Sequence, residues 1–180
     1  MITVISGTNR KASETEKVAA YIVDRLRSET DEKVSFLSLT HLPEDLINEE
    51  MYTSAGQSRR IGFLQDEIIL PADKFWFIFP EYNGGIPGIL KLFIDALSVR
   101  DLKETFYGKK ACLTGVSSGR AGNLRGMDHL TNILNYLQVV VLPNRLPISS
   151  IGALKDEEGA LADQLTLEVI SQQISEFLSF

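Results

Sequence analysis

The run Phe75-Trp76-Phe77-Ile78-Phe79 constrains the fold more than any other stretch of the chain. Five consecutive large apolar side chains do not suit a surface strand, which alternates between core and water. A strand buried on both faces belongs in the middle of a parallel sheet with helices on either side. The flanking sequence alternates accordingly. A strand at Ile2 to Ser6 and a polar loop, Gly7 to Ala12, precede a helix from about Ser13 to Ser28, whose Val18, Ala19, Ile22, Val23 and Leu26 recur at helical spacing. A second strand, Val34 to Leu39, leads to a polar stretch, His41 to Ser58, with room for a short helix, and then to a helix from about Arg60 to Leu70 that ends at Pro71. Beyond the apolar run come a turn-rich segment from Pro80 to Pro87 and a helix from Gly88 to about Val99. A strand from Lys110 to Val116, a Gly/Ser loop and a helix near Leu124 to Leu137 follow. The last elements are a strand from Gln138 to Leu142 and an amphipathic helix from about Ala160 to Phe180.

Five strands alternating with helices predict a three-layer α/β fold around one parallel sheet. The 180 residues suit a single domain, 1–180, with Pro143 to Gly159 as a surface loop. The helix from Gly88 is apolar nearly all round, which predicts cover from the core and from a second subunit.

Charge narrows the partners. With 18 basic residues against 24 acidic ones, the net charge of −6 gives no long-range attraction to nucleic acid or to an anionic membrane. No apolar run approaches the ~20 residues of a membrane span. Met1 is followed directly by a short β-branched run, unlike a signal peptide. The single cysteine, Cys112, excludes an intrachain disulfide and fits a reducing compartment, so a cytoplasmic protein is expected. His41 and His129 fall in separate elements and suggest no metal site.

Ligands of open parallel sheets bind beyond the carboxyl ends of the strands. Three loops there stand out. The first, Ser6 to Thr15, runs into a helix N-terminus, where free N–H groups and the helix dipole favour an anion. Thr8, Ser13 and Thr15 add hydroxyls and Arg10 a planar donor fork, although the loop also reads as an ordinary helix start with Ser13 as cap. The second, Pro80-Glu81-Tyr82-Asn83-Gly84-Gly85-Ile86-Pro87-Gly88, offers a rigid backbone, a flat ring and an amide edge, or simply a structural turn. In the third, Ser117, Ser118, Gly119 and Arg120 offer amides and one cation to a carbonyl-rich edge that gains negative charge, or form a solvated loop. One fold brings all three to one edge. The first suits a phosphate and the others a polar aromatic ring, and flavin mononucleotide (FMN) has both parts. Neither a GxxxxGK[ST] loop nor a GxGxxG fingerprint is present.

These residues resemble the NADPH-dependent FMN reductase family, which includes quinone, azo-dye and chromate reductases. The family's first loop, roughly GSxRxxSxN, appears as Gly7-Thr8-Asn9-Arg10-Lys11-Ala12-Ser13-Glu14-Thr15. Its second motif, PEYNxSxPGxLKNxxDW, appears from Pro80 to Leu97 and begins PEYNGGIPGILK. Gly85 stands where many members have serine, Leu92 where they often have asparagine, and the tryptophan near Leu97 is missing. The resemblance implies a flavodoxin-like fold with strand order 2-1-3-4-5 and a homodimer or homotetramer. It also implies FMN phosphate at the first loop and the isoalloxazine ring against the second and third. NADPH or NADH would reduce the flavin, which would reduce a small acceptor in turn, with no catalytic side chain required. The main rival is a flavin-binding electron carrier or redox sensor without useful NADPH turnover. A receiver-type signalling domain would need an aspartate after strand three, where Pro80-Glu81 stands. A low-molecular-weight phosphatase would need a cysteine in the first loop.

Overall fold

The apolar run lies at the centre of the sheet. It forms most of β3 (Lys74–Pro80), which pairs in parallel with β1 (Ile2–Ser6) on one side and β4 (Lys110–Val116) on the other. Phe75, Phe77 and Phe79 point into one core and Trp76 and Ile78 into the other, all at most 2% exposed. The structure, a computed structural model, describes residues 1–54 and 56–180.

The sheet continues through β2 (Val34–Ser38) beside β1 and β5 (Val140–Val141) beside β4, giving the parallel order β2-β1-β3-β4-β5. Helices α1 (Glu14–Glu29) and α6 (Gln164–Ser179) cover the Trp76 face with Val18, Ile22, Leu26, Ile170, Ile174 and Phe177. Helices α2 (Arg59–Leu64), α3 (Gly88–Ser98) and α5 (Leu124–Tyr136) cover the other. This is the expected three-layer, flavodoxin-like arrangement. Between α3 and β4 lies a short helix, α4 (Leu102–Phe106), which the sequence did not announce.

The fifth strand departs from expectation. In place of a continuous strand from Gln138 to Leu142, β5 pairs only with Lys110 and Ala111, and a sixth strand, β6 (Leu146–Ile148), pairs with Thr114 to Val116. Pro143 stands between the two pieces and has no N–H to give the ladder. Gln173 of α6 fills the gap. Its amide N–H groups donate to Leu113 O at 3.1 Å and Asn144 O at 2.9 Å, and its carbonyl accepts from Thr114 Oγ1 at 2.8 Å. Thr114 Oγ1 in turn accepts from Trp76 Nε1 at 2.9 Å. The segment after Pro143 is therefore ordered into β6 and a helical turn at Ile151–Ala153, rather than being only a surface loop.

The expected helix from Arg60 to Leu70 begins as α2 and widens into a π-turn, Gln65–Ile69. The turn carries the buried Gln65 side chain, which donates to Leu97 O, at the end of α3, at 3.1 Å. Gln57 does the same for Ala96 O at 2.9 Å, so two amides satisfy carbonyls that a helix end leaves open. The polar stretch His41 to Ser58 holds a short helical turn at Glu49–Tyr52; Ala55, within it, lies outside the described residues. No helix among the described residues is long and apolar enough to cross a membrane.

Candidate functional site

The loops after β1, β3 and β4 meet at the carboxyl edge of the sheet and enclose a cleft of about 210 Å³. Arg10, Ser13 and Thr15 line it from the first loop and the start of α1, Pro80, Glu81 and Tyr82 from the second, and Ser117 and Ser118 from the third.

On the first loop, Ser13 caps α1, its hydroxyl accepting from Glu16 N at 3.1 Å. The ordinary capping role is real, and it leaves the hydroxyl hydrogen available to a ligand. The N–H groups from Lys11 to Thr15 meet no acceptor among the described residues. Ala12, just before the cap, takes φ 52°, a left-handed conformation unusual for alanine. Thr15 is 2% exposed, lines the cleft, and its hydroxyl has no hydrogen bond within the described chain.

Thr8 is set apart from the other hydroxyls of this loop. It is fully buried, outside the cleft lining, and its hydroxyl shares a 2.9 Å hydrogen bond with Tyr82 Oη while accepting from Arg10 N at 3.2 Å. It ties the first loop to the second and fixes the Tyr82 side chain.

The second loop is a two-residue hairpin. Tyr82 N donates to Gly85 O at 3.0 Å and Gly85 N to Tyr82 O at 3.1 Å, with Asn83 at φ 52° and Gly84 at φ 78°. Positive φ at both central positions is the requirement that Asn-Gly meets best. Asn83 and Gly84 form the exposed tip, away from the cleft wall.

The third loop is largely committed internally. Ser117 N donates to Ile148 O at 2.9 Å and Gly119 N to Ser117 Oγ at 2.9 Å, so of the three amides the sequence pointed to, Ser118 N alone stays open. Gly119 and Arg120 sit at the exposed end and do not line the cleft.

Ala12, Glu14, Val116 and Ile151 complete the lining and were not anticipated. Val116 and Ala12 follow from loop geometry. Ile151 belongs to the segment after Pro143, whose approach to the cleft depends on the β6 pairing and leaves no local sequence signal. Glu14 is the electrostatic surprise, a carboxylate beside the open N–H groups of the helix start. Burial would raise its pKa, but hydrogen bonds from Lys155 at 3.0 Å and Lys17 at 3.4 Å outweigh that and hold it below the usual carboxylate range. Glu81 is paired with Arg125 at 3.5 Å.

An open parallel sheet in this order, with an N–H-rich helix start and two backbone-walled loops at its carboxyl edge, defines a flavodoxin-like protein. The NADPH-dependent FMN reductase family model matches residues 1–152, and the chain belongs to that family. An NAD(P)H-dependent FMN reductase from Pseudomonas aeruginosa is 36% identical over 130 residues, 72% of this chain and 69% of the relative. An NADPH azoreductase from a Bacillus species is 24% identical over 173 residues, 95% and 89% of the two chains. Among solved structures, the flavoenzyme NAD(P)H:(acceptor) oxidoreductase FerB from Paracoccus denitrificans has a TM-score of 0.79 at 23% identity, covering 99% of this chain and 94% of its own.

Proposed function

We propose that the chain is an FMN-dependent NAD(P)H oxidoreductase, moving hydride from a nicotinamide through flavin to a small acceptor such as flavin or a quinone. The observation that carries this reading is the Thr15 hydroxyl. Thr15 is 2% exposed and lines the cleft, and its hydroxyl is unpaired, as are the neighbouring N–H groups. A phosphate would accept from several of these open donors together.

Bound flavin would supply the redox chemistry itself. The chain supplies placement. Arg10, Ser13 and Thr15 hold the phosphate. Pro80, Glu81 and Tyr82 wall the ring on one side, with Tyr82 kept rigid by Thr8. Asn83 and Gly84 present the hairpin tip at the ring's rim. Ser117 and Gly119 lock the third loop so that the open Ser118 N–H, and Arg120 from the exposed end of the loop, would face negative charge at the ring edge. The family membership and the Pseudomonas FMN reductase support this assignment.

The reading treats 1–180 as one FMN-binding domain, with NADPH or NADH as donor. A cytoplasmic setting suits the free Cys112. We place a homodimer, or a tetramer built from it, on the face between α3 and α5.

The test is an absorbance spectrum of the protein with FMN, before and after anaerobic NADPH. Retained flavin bands near ~450 nm that bleach on adding NADPH are expected. Flavin that binds without bleaching would make the protein a carrier or sensor; no binding would remove the flavin assignment.

A further inference from the structure

We propose that Lys155 is a positioning residue for the flavin phosphate, holding the Glu14 carboxylate so that a second negative charge does not confront the phosphate in the cleft. The inference rests on the proposed phosphate position at the start of α1.

Glu14 is the first residue of α1 and lines the cleft. A carboxylate there interacts well with the helix dipole, which is also why it competes with a phosphate for the same positive end. The other charges lining the cleft are Arg10 and Glu81, and Glu81 is engaged by Arg125. Glu14 is thus the one carboxylate beside the unpaired Thr15 hydroxyl and the open N–H groups.

Two lysines take the same Glu14 oxygen, Lys155 at 3.0 Å and Lys17 at 3.4 Å, but they are not equivalent. Lys17 is 50% exposed on the helix surface, while Lys155 is 23% exposed. Lys155 also sits on a small hairpin with its own hydrogen bonds, Asp156 N to Ala160 O at 3.0 Å, Gly159 N to Asp156 O at 3.1 Å and Ala162 N to Leu154 O at 2.9 Å. The hairpin delivers the ammonium across 141 residues of sequence to the start of α1. It lies beyond residue 152, where the family match ends.

The experiment measures dissociation constants of the full-length apoprotein for FMN and for riboflavin, which has the same ring and ribityl chain but no phosphate. Wild type is expected to prefer FMN. Lys155→Met should weaken FMN about three- to tenfold at low salt and leave riboflavin within about twofold. Lys155→Arg should behave as wild type. Glu14→Gln combined with Lys155→Met should restore FMN affinity, because the unmasked charge is gone. Equal weakening of both ligands, or no rescue by Glu14→Gln, would show a merely structural role and overturn the proposal. So would an unchanged FMN-to-riboflavin ratio in Lys155→Met when wild type discriminates. A wild type that binds both ligands equally would instead sink the phosphate reading itself, and this proposal with it.

Discussion

Gly115, near the end of β4, has no room for a side chain. A Cβ there would lie 2.4 Å from Gly122 O and 2.8 Å from Asn123 Cβ, both in the turn that leads into α5. Asn123 has little room to yield: it is buried at φ 69° and donates to Phe79 O at 2.8 Å. Gly115→Ala is expected to cost about 2–3 kcal/mol of stability, read from the urea midpoint. At the proposed phosphate end, Arg10→Ala is the cleaner probe, since Arg10 is exposed and its loss should weaken FMN with little change in Tm. Ser13→Ala removes a helix cap as well, so it should lower both FMN affinity and, by about 1 kcal/mol, stability. Far from the cleft, Lys109 makes a pH prediction. Burial lowers its pKa from 10.5 to about 8, against a smaller opposing pull from Asp73, while its ammonium donates to Ile69 O and Leu70 O. Between those two values the unfolded chain holds a proton that the folded chain has released, so stability from this group rises with pH. Relative to Lys109→Met, wild type should gain stability as pH climbs from about 8 toward 10.5, measured by denaturant unfolding at several pH values.

At the scale of elements, α6 completes the sheet. Gln173→Met would take the side-chain donor from Leu113 O and Asn144 O and leave the Thr114 hydroxyl, still bonded to Trp76, without its acceptor. Losing one side of a buried network costs more than one bond, and a loss of about 2–4 kcal/mol is expected by calorimetry or urea. Gln173→Glu, which keeps the shape but replaces the donor, should be similarly poor. This element also marks the limit of what was legible in the sequence. The apolar run gave β3 its central place, and Lys110 to Val116 forms β4 over the expected range, because burial on both faces leaves a continuous local signature. The split fifth strand left no such signature. A two-residue strand and a three-residue strand are too short for periodicity, and the glutamine that joins them lies in a helix 25 or more residues away. The site divides in the same way. Eight of the expected residues line the cleft because strand-to-loop order alone brings them together. Thr8 turned out to be a strut between loops, a role set by a hydroxyl pair 74 residues apart in sequence.

For the molecule as a whole, the open question in the sequence was what covers α3. The structure assigns most of that apolar surface to the core: Leu90, Phe93, Ile94, Ala96 and Leu97 all point inward, and Leu92 is left 42% exposed. The neighbouring face of α5 carries Tyr136 at 85% exposure. Between the two helices runs a groove of about 480 Å³, with Ile94, Leu102, Ile133 and Leu137 in its lining and the Lys91–Asp95 pair on its rim. A second copy docked on the α3–α5 face would bury the apolar groove. An exposed tyrosine over an apolar groove is the kind of residue that anchors such contacts. Wild type is expected to sediment as a dimer or tetramer at micromolar concentration. Tyr136→Asp should shift it to monomer while leaving Tm largely unchanged, because so exposed a side chain contributes little to the fold of its own chain. If the monomeric variant still binds FMN but bleaches more slowly with NADPH, the second copy helps place the nicotinamide. A monomeric wild type would remove the interface and leave the cleft to act alone.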